Sequence, residues 1–412
     1  MMKWIKLAVR NIFRNKRRSL VTLIAIAVGF ASISLYYGYM HAVYQGLRFM
    51  AIHAEGLGHL RINKEGWKEK GKNDPEKYMF SKEETQKIIE IVTAEENVRL
   101  ATPQIQLTGI VTNGITSTIF IAQGVIPKDE RMIKGAWAEF MPVKGQPLND
   151  ETRYGVEIAK DLSRYLNLTE GKDGVVMAPT LSGQMNALDI KINGVYDTGS
   201  DFSNDKFMRF NYYFAQSLLD TQAAERIVIL LMDWQDTDQM RALFLAKLKA
   251  AGINCEIRTW EDLSLYFTKQ KAFLRVMFMF LFSIVLVIVV MTTVNTMGMT
   301  ILERTREIGT LRALGLKRRG VSFLFALEGA FIGFFGSILG IVLHTGVWAL
   351  IKKYPPRYTP AGFSMPVDMK VDMVPAMLLI LLLSLVLLSL IAAIIPARGA
   401  AKRNIVDSLG HV

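Results

Sequence analysis

Cysteine is nearly absent: Cys255 is the only one in 412 residues. No intrachain disulfide can form, and no cysteine-based zinc site exists. The five histidines, His41, His53, His59, His344 and His411, are too scattered to suggest a metal cage. The P-loop pattern G-x-x-x-x-G-K-[ST] does not occur, so the chain has no such cradle for nucleotide phosphates. No paired acids, H-E-x-x-H or Ser–Lys constellation stands within the apolar segments, which disfavours an intramembrane enzyme. Charged residues are few as well, at 21% against 51% hydrophobic. With a mean hydropathy of +0.24, this disfavours a purely soluble, disordered, coiled-coil or disulfide-rich secreted chain.

What is present is a set of long apolar runs. Residues 19–47, 276–302 and 373–397 contain no Asp, Glu, Lys or Arg; residues 321–351 contain one acid, Glu328. A helix needs roughly 20 apolar residues to cross the hydrocarbon core, so all four are long enough. Lipid leaves backbone groups no outside partner, which makes them helices. The first run exceeds a signal-peptide core and continues into Tyr36, Tyr37, Tyr39 and Tyr44, an interfacial aromatic belt. It reads as a retained span.

Net charge is +12, and its placement gives the topology. Residues 1–18, 303–320 and 398–412 together carry 16 Lys/Arg and 3 acids. Residues 48–275 carry 29 basic and 31 acidic residues. The positive-inside rule places the three basic pieces, and both termini, in the cytoplasm. The expected layout is a cytoplasmic amphipathic helix at 1–18, spans at 19–47, 272–302, 321–351 and 373–397, an extracytoplasmic domain at 48–271, a cytoplasmic helix at 303–320, an extracytoplasmic loop at 352–372 and a cytoplasmic tail at 398–412. The loop 352–372, with four basic residues, fits the charge rule least well. This distribution explains the basic balance without nucleic acid.

The large domain reads as mixed α/β. Ser81 with Glu84 three residues on forms a capping box for a helix to Ala94. Asn113-Gly114 sits between strand-like runs at 104–112 and 115–123, a hairpin signal. Further strands are expected at 58–62, 174–178, 187–196, 226–232 and 253–258, with helices at 158–166 and 237–250. Thr259 opens a helix with no Pro or Gly before Gly298. Continuous to Leu302, it would run on the order of 65 Å as a stalk. A break near residues 269–275 would instead leave an ordinary span. The first span is expected to extend similarly to about Ile52.

Residues 303–320 carry more than a turn needs. Ile308, Leu311 and Leu314 share one helical face, and Gly315 is placed to end the helix. The pattern alone fits either a short docking helix or a basic topogenic turn. Glu328 lies about 12 Å along the next helix and is a functional candidate by default. Its structural role would be pairing with a basic residue of the loop. Gly329, Gly333, Gly336 and Gly340 contain two G-x-x-x-G spacings, which read as close helix packing within one subunit or across a dimer.

The run Arg306-Glu307-Ile308-Gly309-Thr310-Leu311-Arg312-Ala313-Leu314-Gly315 resembles the signature of FtsX-like ABC-transporter permeases. Ala8 to Ile12 with Arg17-Arg18, Glu328-Gly329 with the following glycines, and Pro396-Ala397-Arg398 with Ile405 to Leu409 resemble other parts of that family. The resemblance implies an α-helical membrane protein with four transmembrane helices and a MacB-like periplasmic core domain of mixed α/β type. It implies that Thr305, Arg306, Glu307, Ile308, Gly309, Arg312, Ala313, Leu314 and Gly315 contact an ATPase. The implied partners are a cytoplasmic P-loop ATPase dimer, a second permease copy or homologue, the lipid membrane, and a periplasmic acceptor or lipoprotein. ATP and Mg would bind the ATPase, and this chain would not itself be an enzyme. The implied location is the bacterial inner membrane. The layout is closest to the lipoprotein-releasing LolC/LolE permeases. Efflux of small molecules or peptides, or FtsX-like regulation of an extracytoplasmic partner, are the alternatives.

Overall fold

The computed structural model describes residues 16–71, 73–136, 138, 142–152, 154–360 and 363–402. The expected amphipathic helix at 1–18 therefore lies outside the described residues up to residue 15, as does the tail beyond residue 402. The chain divides into two compact units. One holds residues 1–44, 270–357 and 368–412; the other holds residues 45–269 and 358–367.

The first unit contains the apolar helices α1 (Lys16–Phe49), α7 (Leu265–Glu303, entering from the second unit), α9 (Arg318–Lys353) and α10 (Pro375–Lys402). All four are long and apolar enough to cross a membrane. Their shared core joins Ile26 and Phe30 of α1, Val289 and Met297 of α7, Phe325 and Ile332 of α9, and Leu385 and Ala393 of α10. Lipid tails are as apolar as these side chains, so association depends on close packing and polar contacts. Glycines supply the first. A Cβ at Gly329 would lie 2.5 Å from the Ala393 Cβ, and one at Gly333 2.9 Å from the Ser389 Cβ, both on α10. A Cβ at Gly336 would lie 2.8 Å from Ile26, and one at Gly340 2.6 Å from Phe30, both on α1. The four glycines thus pack within one chain, one pair toward each neighbour. Polar contacts supply the second: Thr22 and Thr296 hydroxyls lie 2.6 Å apart, and Ser34 Oγ lies 2.9 Å from His344 Nδ1.

The second unit is built on a mixed sheet. Its strands are β1 (Leu60–Lys64), β2 (Val98–Thr112), β3 (Ser117–Val125), β4 (Pro142–Gly145), β5 (Gly155–Ala159), β6 (Asp173–Pro179), β7 (Met185–Tyr196), β8 (Phe207–Asn211), β9 (Arg226–Leu231) and β10 (Cys255–Thr259). Their order is β10-β1-β9-β2-β3-β8-β5-β7-β4, with β6 pairing β2 and β7. The β3–β8 and β5–β7 pairs are parallel. The 15-residue β2 serves two cores. Its first half pairs with β9 beside α2 (Lys82–Thr93) and α6 (Thr237–Ala250), around Ile88, Ile229 and Phe244. Its second half pairs with β3 beside α4 (Lys160–Leu166) and α5 (Tyr212–Leu219), around Phe120, Phe210 and Phe214.

The capping box of α2 forms, with Glu84 N donating to Ser81 Oγ and Ser81 N to Glu84 Oε2. Three expectations are corrected. The β2–β3 turn spans four residues, 113–116, because Asn113 Oδ1 accepts from both Ile115 N and Thr116 N. Ile115 therefore sits in the turn, 93% exposed, and not in a strand. The helix expected at 158–166 starts at Lys160, since residues 155–159 form the fully buried β5. The stalk helix does not start at Thr259. Thr259 and Asp262 cap only the short turn Trp260–Leu263, and Ser264, with ψ 91, interrupts it. Ser264 Oγ then accepts from Phe267 N as α7 begins. From Leu265 the helix is unbroken through 269–275, a length of roughly 58 Å. Residues 358–367, part of the loop expected at 352–372, belong to the α/β unit. At the end of α1 the helix passes into a π turn, Met50–Ala54, slightly beyond the expected Ile52.

Candidate functional site

The site lies between α7 and α9. Arg304 (φ −109, ψ 15) ends the α7 direction, and α8 (Thr305–Ala313) follows. Thr305 Oγ1 donates to Ile301 O at 3.1 Å and Leu302 O at 2.9 Å, stitching α8 to the last turn of α7. At its other end Gly315 N donates to Arg312 O and Leu316 N to Leu311 O, both at 3.0 Å. With Gly315 at φ +96, this is the Schellman arrangement that only glycine adopts without strain. Lys317 then leads into α9. The basic stretch is therefore a helix closed at both ends, not a turn.

One face of α8 is buried. Thr305, Ile308 and Gly309 lie against the bundle, and Ile308 shares a core with Ile301, Val321, Phe325, Ala397 and Ala401. The opposite face presents Arg306, Thr310, Ala313 and Leu314. The expectation that Leu314 falls on one helical face with Ile308 and Leu311 is corrected, because the helix ends at Ala313. Leu314 sits at the C-cap, where the chain turns, and is 80% exposed. An apolar side chain is thus offered outward beside Arg306 and Thr310. Leu311 and Arg312 are half-buried.

Arg304 fastens this helix. Its Nε donates to Glu307 Oε2 at 2.9 Å and its Nη1 to Glu328 Oε1 at 3.0 Å. The guanidinium lies 5.7 Å from the Phe325 ring centroid. Burial alone would lower the Arg304 pKa, but the bonds to Glu307 and Glu328 outweigh it and hold it above the ordinary value. Glu328, buried inside α9, is therefore paired with a basic residue of the α7–α9 connection. Sequence reasoning assigned Arg304 no role of its own. Its signal was Glu307 three residues on and the solitary acid in the next span. Arg18 and Glu303 form a further ion pair, between the start of α1 and the end of α7.

Among the described residues no group of His, Cys, Asp and Glu could hold a metal ion. The arrangement is a capped helix seated on the bundle, with a mixed polar and apolar face outward.

Fold and site together define a multi-span membrane protein with an α/β domain inserted between its first two apolar helices. Residues 279–405 match the family described as FtsX-like permease C-terminal. It is 49% identical over 49 residues to ABC transporter permease MJ1507 of Methanocaldococcus jannaschii, 12% of each chain. It is 39% identical over 62 residues to ABC transporter permease YtrF of Bacillus subtilis, covering 15% of this chain and 14% of that one. It is 23% identical over 230 residues to the lipoprotein-releasing system transmembrane protein LolC of Neisseria meningitidis, covering 53% and 54%. The matched stretches thus span about half or less of these relatives. Among solved structures, the periplasmic region of MacB from Actinobacillus actinomycetemcomitans aligns with 51% of this chain and 92% of its own, at 12% identity and a TM-score of 0.37.

Proposed function

We propose that this chain is the permease subunit of an ABC transporter whose ATP hydrolysis is carried out by a separate P-loop ATPase dimer. The observation that carries this reading is α8, held by Arg304 and Ile308 while Arg306, Thr310, Ala313 and Leu314 face outward. A helix seated this way passes a push on its exposed face directly to α7 and α9. ATP and Mg bind the ATPase, and this chain supplies the lever. The basic residues between Arg304 and Arg319 and at Arg398 support a cytoplasmic position for α8 and both termini, with the α/β domain outside the bacterial inner membrane.

A second permease completes the assembly. α7 is the least covered of the four long helices, with Val276, Met279, Phe280, Val287 and Met291 all open. The cargo we assign is a lipoprotein or lipid released toward the envelope, supported by the long alignment with LolC. The test is purification of the tagged protein from its native membrane in mild detergent, followed by mass spectrometry. Wild type should retain a stoichiometric P-loop ATPase, and a lipoprotein or lipid where cargo is trapped. Arg312→Glu and Leu314→Asp should lose the ATPase while keeping the wild-type melting temperature. Retention of the ATPase by both variants would overturn the docking assignment.

A further inference from the structure

Residues 358–367 connect α9 to α10 in sequence yet belong to the α/β unit. Their attachment there is specific. Ser364 Oγ donates to Asp197 Oδ1 at 2.7 Å, and Ser364 N donates to Gly199 O at 3.3 Å. Phe363 bridges Ser200 in antiparallel fashion, and its ring lies 6.0 Å from that of Tyr266. Tyr266 is the second residue of α7. Three separate stretches of chain therefore meet: the turn after β7, the root of α7, and the connector between the last two long helices.

Asp197 is the centre of this junction. It is buried, and each carboxylate oxygen is occupied. Oδ1 accepts from Gly199 N at 2.9 Å and Asn204 Nδ2 at 3.0 Å as well as from Ser364. Oδ2 accepts from Lys160 Nζ at 2.6 Å. Asn204 is itself fully buried and accepts from Thr198 N at 2.9 Å. Burial works against the charged form, but these donors prevail and hold the Asp197 carboxyl at about 2. It stays ionised at any ordinary pH. Hydrogen bonds to a buried charged acceptor are the strong ones. All donors other than Ser364 come from the domain itself, so the acceptor is already oriented when the connector arrives.

We infer that Asp197 and Ser364 form a latch that holds residues 358–367 of the α9–α10 connector within the α/β unit. The latch stands whether or not the ATPase partnership holds, because it is a property of this chain alone.

Hydrogen exchange on the full-length protein in nanodiscs tests it. In wild type the amides of 363–369 should exchange slowly. Ser364→Ala should speed them by about tenfold or more, the loss expected for one hydrogen bond to a buried charge, while α9 and α10 stay unchanged. Asp197→Ala should do the same and also loosen 198–204. A Ser200→Cys/Phe363→Cys pair in a Cys255→Ser background, joined by a short bis-maleimide, should restore slow exchange to Ser364→Ala. Exchange in Ser364→Ala equal to wild type, or wild-type exchange as fast as in a free peptide, would overturn the latch. Because Ser364→Ala removes only the connector's hydroxyl, its outcome does not depend on Asp197→Ala folding.

Discussion

Arg304 Nη1 lies 3.0 Å from Glu328 Oε1, and this bond joins the end of the second long helix to the interior of the third. Glu328 is 2% exposed and Arg304 11%. Glu307 also holds Arg304 but is 42% exposed and well solvated. Glu328→Ala would leave Arg304 with Glu307, the more exposed acid, as its carboxylate partner, and breaking a buried pair costs up to ~3–5 kcal/mol. Glu328→Ala should therefore lower the thermal midpoint sharply in nanodiscs. Arg304→Met/Glu328→Leu should recover most of it, since a buried pair replaced by apolar groups is often neutral. Equal midpoints for Glu328→Ala and wild type would mean that the pair is solvated and carries nothing.

The same logic of close contact applies to the glycines of α9. A Cβ at Gly340 would meet the Cβ and ring of Phe30 between 2.6 and 2.9 Å. The backbone of α1 or α9 must move to admit it, because the contact is with the root of the Phe30 side chain and not its flexible end. Overpacking of this kind costs ~1–3 kcal/mol. At Gly346 a Cβ would meet nothing within 4 Å. Gly340→Ala should lower the midpoint measurably, whereas Gly346→Ala should stay within ~0.5 kcal/mol of wild type. The pair is a controlled comparison on one helix, and a similar effect at both positions would deny the close packing.

These contacts show where sequence reasoning reached and where it stopped. Helix 237–250 was readable to the residue, and the Ser81–Glu84 box marked α2, because both signals are local. The helix Pro127–Lys134 was overlooked, although Pro at its start, acids in its first turn and Lys in its last all announce it. Its apolar content is too low for periodicity to show. Strand Phe207–Asn211 passes directly into helix Tyr212–Leu219 with no Gly or Pro between them, and the Asn211 side chain, accepting from Tyr213 N, caps the helix there. At the stalk, Ser264 acts as a second cap five residues after Thr259, without the glycine or proline that usually flags a break. In the site, the buried face at Ile308 followed from spacing. The outward Leu314 did not, since its direction is set by the turn at Gly315 and not by helical period.

His59 gives the protein a specific acid sensitivity. The residue enters β1 and is 5% exposed. Its Nδ1 accepts from Leu231 N at 3.0 Å, so that nitrogen must be bare. Burial first, and then the nearby His53 and Arg48, lower its pKa from 6.5 to about 4, with Asp233 opposing. Between those values the unfolded chain binds a proton that the folded protein refuses. Stability therefore rises with pH across this window: the contribution is complete above pH 6.5 and is lost as pH falls toward 4. At about 1.4 kcal/mol per pKa unit, the effect is on the order of 3 kcal/mol. His59→Asn keeps an acceptor oxygen for Leu231 N but cannot titrate. Carboxylates contribute to acid loss in both proteins, so the difference between them isolates His59. The denaturation midpoint of wild type should fall more steeply from pH 7 to pH 4.5 than that of His59→Asn. Parallel curves would place the proton elsewhere.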